Sequence, residues 1–483
     1  MLKRVLTALA VAFMFMSVCV YAEITPEKPA LTYDKYDIDN NGKFDEMVYE
    51  ISTKEQLYWF ANAVNNGQGH INAVLVNDIT VNENLLSKLT VDSEDFSAVV
   101  NDGESLETWN CTGSFSGIFD GRGHTVYGLY YNNGTDSASP SGFFARIQVA
   151  EVKNLNIKDS YFHSFEKPVG GIAAESTSSD IVNCSFDGYC RVTGQDVVGG
   201  IVGSTNWTEI RYCTNYGNVY GYGNVYNPEG GIAGRINSEC LVTNCHNEGK
   251  IVGSGGYVGG IVGFNYGTVE YCYNKGEIVS DGGSSGICTV HYKGHVNNCY
   301  NVGVAKRGIG GYTTIEDENG YVDNCYWLES ASSSGYRGDP AGQSESRTEQ
   351  QMKSLDFMSE LSDGKNGIWQ QTEGEYPTLV PMEMKPLTVN ENHTTDTTSH
   401  IFSVSSDGTV TIAADEAGIS FTVIYSDYEG NKQNAVDFVP FTFQNAATKY
   451  TVSTGLSLSS GDKIIVLENT TSLKPVCEEF VIE

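Results

Sequence analysis

The chain has 483 residues, with 60 acidic against 29 basic side chains and a formal charge of −31; such a surface repels phosphate backbones and argues against a nucleic-acid partner. Its 53 Gly and 29 Tyr, with only 18% charged residues, suit β structure with many tight turns, and the length leaves room for two or three domains.

The chain opens with Lys3 and Arg4, an apolar run over 5–20, and Val20-Tyr21-Ala22 before Glu23. Charge, apolar run and small residue together predict a secretory signal over 1–22, removed after Ala22, and hence an extracellular protein, secreted or held at the cell surface. A lipid anchor on Cys19 is the rival, disfavoured by Val18 before it. No later apolar stretch reaches the roughly 20 residues of a membrane helix, so no transmembrane segment is expected.

Residues 23–50 read as an acidic linker holding one candidate metal site. Asp37, Asp39, Asn41 and Asp45 occupy positions one, three, five and nine of a loop with Gly42 at six, the oxygen-donor pattern of a Ca²⁺ loop. Position twelve is Val48 where an EF-hand carries Glu, so a complete EF-hand is not expected. The alternative is a solvated acidic linker.

From 51 to 328 the pattern predicts a parallel β-helix. Ser52-Thr-Lys-Glu55 reads as a capping box, and Leu57, Phe60, Ala61 and Val64 share one face, predicting a helix that covers the open core of the first coil. Downstream, Gly-Gly steps begin at Gly170, Gly199, Gly230 and Gly259, with a cysteine column at Cys184, Cys213, Cys245, Cys272, Cys299 and Cys325, spaced by 29, 32, 27, 27 and 26 residues. Three residues before each Cys stands Ile181, Ile210, Val242, Val269, Val296 or Val322. Strict alternation cannot turn both members of such a pair inward, so the strand must bend between them. Asn183, Asn244, Asn298 and Asn324, just before the Cys, suit a left-handed bend. A second turn follows at Asn-x-Gly (Asn215, Asn247, Asn274, Asn301), then a strand holding Val219, Ile251, Ile278 or Ala305, where Cys190 also falls. Three strands and three turns in about 27 residues predict one coil of a three-faced solenoid, right-handed by the chirality of parallel crossovers. The cysteines read as an inward ladder of small apolar thiols.

At these residues the chain resembles a known family. Val198 to Gly203 and Val258 to Gly263 (VGGIVG), with Phe115-Ser-Gly-Ile-Phe-Asp-Gly-Arg-Gly-His124 and Ser141-Gly-Phe-Phe144, look like the GLUG-motif repeats of bacterial surface proteins. The likeness covers roughly 51–379 and implies a β-helical, adhesin-like region, in some members joined to an IgA-cleaving metallopeptidase. The His-Glu-x-x-His motif of that peptidase is absent from this sequence, so the resemblance does not carry the activity over.

Residues 329–385 read as a Ser/Gly-rich exit loop and a capping helix over 348–361, with Thr348 and Gln351 as its box and Gly364 as its stop. Alternating runs at 409–413, 419–425, 436–443, 450–453, 463–467 and 479–482 then predict a small immunoglobulin-like β-sandwich over 386–483. The tail from Asp462 through Glu479 resembles small accessory modules of clostridial surface proteins. The whole is an all-β protein.

Several residue sets are candidates for chemistry. Asp180 with Glu209, and Glu270 with Asp323 across Asn297, form outward acid columns of the kind glycosidases need, though an acidic protein also scatters carboxylates over its surface. His291 and His295 lie four apart without a helix to unite them, and Arg337-Gly338-Asp339 lies in the exit loop. The recurring Gly-Gly-Ile-Val-Gly is a coil corner, since a dinucleotide loop occurs once. The residues after the late cysteines, Tyr273, Tyr300 and Tyr326, should stack outward on successive coils, as a brace for the sheet or a platform for sugar rings. The preferred reading is a non-catalytic binding protein that presents the solenoid to a glycan or host surface protein. The alternative is a secreted carbohydrate-active enzyme, a polysaccharide lyase or glycoside hydrolase working on a β-helix face.

Overall fold

A computed structural model of the chain describes residues 24–384, except 34, 44–45, 93–97, 135–138, 225, 292–293, 313–320 and 336–343, and beyond 384 the backbones of short strands. The predicted signal and Arg337-Gly338-Asp339 lie outside the described residues. The chain divides into two compact units, Met1–Lys28, Ser52–His70 and Leu75–Met384 as one, and Pro29–Ile51, Ile71–Val74 and Lys385–Glu483 as the other.

The first unit holds a parallel β-solenoid of about seven turns. Each full coil carries five short strands rather than the expected three. One coil runs Val198–Gly199, Val202–Asn206, Glu209–Arg211, Thr214–Asn215 and Asn218–Gly221, and each strand pairs in parallel with its counterpart in the next coil. The expected three strands are divided at short corners, two residues long in this coil (207–208 and 212–213 among them). Asn183, Tyr212, Asn244, Tyr271, Asn298 and Asn324 stand at φ 48 to 56° just before the cysteines, as the Ile/Val-to-Cys spacing demanded. A second left-handed corner, at Ser178, Trp207 and Glu239, was not foreseen because its residue type changes from coil to coil. At the Gly-Gly step the reason is close approach of backbones. A Cβ on Gly199 would stand 1.9 Å from the Val202 carbonyl oxygen.

The lumen is laddered. Ile181, Ile210, Val242, Val269, Val296 and Val322 stack in register and are buried. All ten described cysteines are buried free thiols, and the predicted column points inward. Cys190 is buried too, but Val192, two residues on, pairs with Val219, so Cys190 sits at the corner before the strand. The Asn-x-Gly sites are an interior ladder. Asn215, Asn247, Asn274 and Asn301 are fully buried, and each Nδ2 of the first three donates to the next Oδ1 at 2.7 to 2.8 Å and to a glycine carbonyl of its own coil at 3.0 Å. Burial of these amides is tolerable because their donors and acceptors are paired.

Helix α1 (Lys54–Asn65) begins one residue later than the expected box. Thr53 is the N-cap, and Gln56 reaches back to the Ser52 N–H at 2.8 Å. Its buried face sets Phe60 against Phe115, Phe119 and Phe144, with ring centroids 5.3 to 6.1 Å apart, covering the core of the first coils. The helix expected over 348–361 is two helices, α2 (Glu349–Met352), with the Thr348/Gln351 box formed, and α3 (Leu355–Ser362), capped by Ser354.

In the second unit, residues expected as a linker form an antiparallel hairpin, Ala30–Tyr33 with Met47–Ile51, and Thr394–Thr395 pairs with Ala30–Tyr33. Further strands make two antiparallel sheets, one of three strands (Ile401–Val404, Thr409–Ala414, Thr448–Ser453) and one of four (Gln433–Asp437, Ser420–Ser426, Lys463–Asn469, Glu478–Val481).

Candidate functional site

Tyr273, Tyr300 and Tyr326 stack in register outside the lumen, with Tyr273 and Tyr300 at 5.2 Å and 10°. The platform reading needs open ring faces, and here it is corrected, because the three residues are only 2%, 0% and 8% exposed. Met352, Phe357, Leu361, Trp369 and Leu379 pack over them, and the Tyr300 hydroxyl donates to the Pro377 carbonyl. An apolar column on the outer wall is covered by the amphipathic segment that follows it in the chain, which makes it a brace. Above Tyr273, His246 stacks at 4.6 Å, and burial drives its pKa down to about 3, so the imidazole is neutral.

The acid columns have the predicted register. Asp180 and Glu209 are neighbours, but Arg211 lies 3.6 Å from the first and 3.5 Å from the second, which makes them an ion-pair cluster. Glu270, Asn297 and Asp323 follow one another over three coils, and burial raises the Glu270 carboxyl above its ordinary range. His291 and His295 fall in strands of different ladders, and His295 lies 4.2 Å from the Tyr321 ring. Among the described residues no group of three or more His, Cys, Asp or Glu side chains could hold a metal.

In the acidic loop Asp37 is 7% exposed, and its Oδ2 accepts from Gly42 N–H at 3.1 Å. Asp39 accepts from Asn41 N–H at 3.1 Å and from its Nδ2 at 2.8 Å, while Asn41 Oδ1 accepts from Lys43 N–H at 2.8 Å. Asn40 and Gly42 have φ of 57° and 84°, the turn that brings positions one, three and five together. Asp45 lies outside the described residues.

A part-exposed aromatic surface lies elsewhere. Tyr226, Tyr257, Phe264 and Tyr266 form a continuous strip with successive centroids 6.2, 5.7 and 4.8 Å apart, and the Arg235 guanidinium stands 5.8 Å from the Phe264 ring. Tyr226 is 69% exposed and the other three are part-exposed. Sequence reading missed the strip because it sought types that recur once per coil, and these do not recur. The signal was local. Phe264, in strand Val262–Asn265, and Tyr266, just past its end, are two apart on either side of the buried Asn265. A cleft of about 1130 Å³ beside the first coils, lined by Tyr58, Leu106, Glu107 and Tyr130 among others, is less free, since Tyr58 packs edge-on to Trp109 and bonds the Thr108 carbonyl while Tyr130 stacks on Tyr161.

Fold and surface together define a parallel β-solenoid with an aromatic strip on one flank, and no helix among the described residues is long and apolar enough to cross a membrane. A family model described as the GLUG motif matches residues 254–279, the coil that supplies three of the four rings. A crystal structure of a putative immunoglobulin A1 protease from Bacteroides ovatus is similar over 72% of this chain and 94% of its own, with 17% identity and a TM-score of 0.41. No curated protein matches the chain.

Proposed function

We propose that the chain is an exported, non-catalytic binding protein, adhesin-like, working outside the cell and offering one solenoid flank to a glycan, free or carried on a host surface protein. In this reading 1–22 is the export signal, the solenoid winds right-handed, and the two antiparallel sheets after 400 are an immunoglobulin-like accessory sandwich of the clostridial surface type. The strip Tyr226–Tyr257–Phe264–Tyr266 carries the reading. Sugar rings present apolar faces, and a row of part-exposed aromatics on a rigid sheet can stack them without ordering cost. A glycan array with the mature chain, followed by calorimetry on the best glycan, tests it. A Tyr257→Ala/Phe264→Ala/Tyr266→Ala variant should lose roughly ten- to a thousandfold in affinity, at about 0.5–1.5 kcal/mol per ring, with its fold intact. Full affinity in that variant rejects the strip.

One observation favours a second reading, hydrolysis. The raised Glu270 carboxyl has Asp323 two coils away, about 9 to 10 Å by the coil spacing, near the separation of an inverting pair. Release of reducing ends from an array glycan, abolished by Glu270→Gln, would support hydrolysis over binding.

A further inference from the structure

We infer that the connection between strands Ala30–Tyr33 and Met47–Ile51 is a Ca²⁺ site built on Asp37, Asp39 and Asn41. The pattern of acids alone would not carry this. The deciding observation is the state of Asp37, whose side chain is more than nine-tenths buried and whose Oδ1 has no hydrogen-bond partner among the described residues. Oδ2 takes the Gly42 N–H, which ties the carboxylate to the loop, and its second oxygen is left unmatched. A buried carboxylate oxygen without donor or counter-charge is costly. The basic residue just upstream, Lys35, does not relieve it, since its ammonium and the Tyr36 hydroxyl are both directed to Glu50. A cation bound at Oδ1 would.

The donors select the ion. Asp37, Asp39 and Asn41 offer side-chain oxygens on a turn with Gly42 at the sharp corner, and the loop pattern adds a backbone carbonyl at position seven, here Lys43. Hard oxygen donors in this loop pattern suit Ca²⁺ over Mg²⁺, which demands near-octahedral geometry, and over transition metals, which prefer nitrogen or sulfur. The chain's strong negative charge raises the local cation concentration further.

The test is calorimetry of the full mature chain, stripped with EDTA, against CaCl₂, with terbium luminescence sensitised by tyrosine as a second readout. The wild type should bind Ca²⁺ with a dissociation constant of order 10⁻⁴ to 10⁻³ M, as in extracellular modules. Asp39→Ala/Asn41→Ala should weaken binding at least tenfold and lose the Ca²⁺-induced rise in melting temperature. Both side chains are exposed, so that variant keeps its fold, and the isosteric Asp39→Asn should weaken binding in the same direction. No heat in the wild type, equal heats in the variants, or Mg²⁺ binding as tight as Ca²⁺ each overturn the assignment.

Discussion

Glu229 interrupts a column that otherwise reads Val169, Val198, Val258 and Ser284. It is fully buried, and neither carboxyl oxygen has a hydrogen-bond partner among the described residues. The side chain fits only because Gly221 and Gly253 flank it. A Cβ on Gly221 would stand 2.0 Å from Oε1, and one on Gly253 would stand 3.0 Å from Oε2. Burial raises its pKa well above the ordinary carboxylate range, so the folded state holds this group protonated. In the unfolded chain it ionises near about pH 4.3. Between those two values folding takes up one proton. The contribution to stability is therefore fully present below the unfolded pKa and declines by about 1.4 kcal/mol per pH unit as pH rises toward the folded pKa. Glu229→Gln keeps the shape and removes the proton, at a pH-independent cost of about 1 to 3 kcal/mol for an unpartnered amide. Glu229→Val restores the column. Urea unfolding of the wild type and both variants at pH 5, 6 and 7 separates the terms. Relative to the wild type, both variants should gain about 1.4 kcal/mol per pH unit, and parallel pH profiles would refute a buried, protonated Glu229.

Two further outcomes follow from the packing. Cys272→Ala should cost about 1 to 2 kcal/mol in lost contacts and Cys272→Asp should not fold, because the thiol is wholly buried; a soluble, stable Asp variant would show that the column faces water. Tyr300→Ala opens a hole between Phe357 and Trp369, whose rings lie 6.0 and 5.6 Å away, and should cost about 3 to 5 kcal/mol in chemical unfolding while glycan affinity at the strip is unchanged. Lost affinity with full stability would return the tyrosine column to the role of platform.

Much of the solenoid was legible because coil closure repeats its constraints. A Cys three residues after an Ile or Val cannot share a face with it in a straight strand, and the left-handed Asn183, Asn244, Asn298 and Asn324 are the answer the backbone gives. The count of strands was less legible. Three strands per coil suffice for the hydrophobic pattern, whereas five follow from corners whose cause is tertiary. Gly199 is needed for a carbonyl in its own coil, and Gly249 because a Cβ there would stand 1.9 Å from the Gly217 carbonyl oxygen one coil away. The Asn-x-Gly step likewise looks like a surface turn until the next coil supplies the second asparagine of each pair.

The site was harder to see for a related reason. In a stacked fold a residue type that returns in every coil is explained by stacking itself, so the cysteine, asparagine and tyrosine columns describe how the solenoid holds together. Even the outward tyrosines obeyed that logic, because an apolar column long enough to be noticed is also broad enough to attract a cover, here α2, α3 and Trp369. What stacking does not require is the departure from the repeat. Phe264 follows Ser204 and Arg235 in its column, while Tyr226 is contributed by the preceding coil. Nothing in the geometry of a coil asks for aromatic rings at those places, and exposing them to water brings no stability. Recognition outside the solenoid therefore has its natural seat in such unrepeated positions, and variation among them changes what the flank binds while the ladders beneath stay the same.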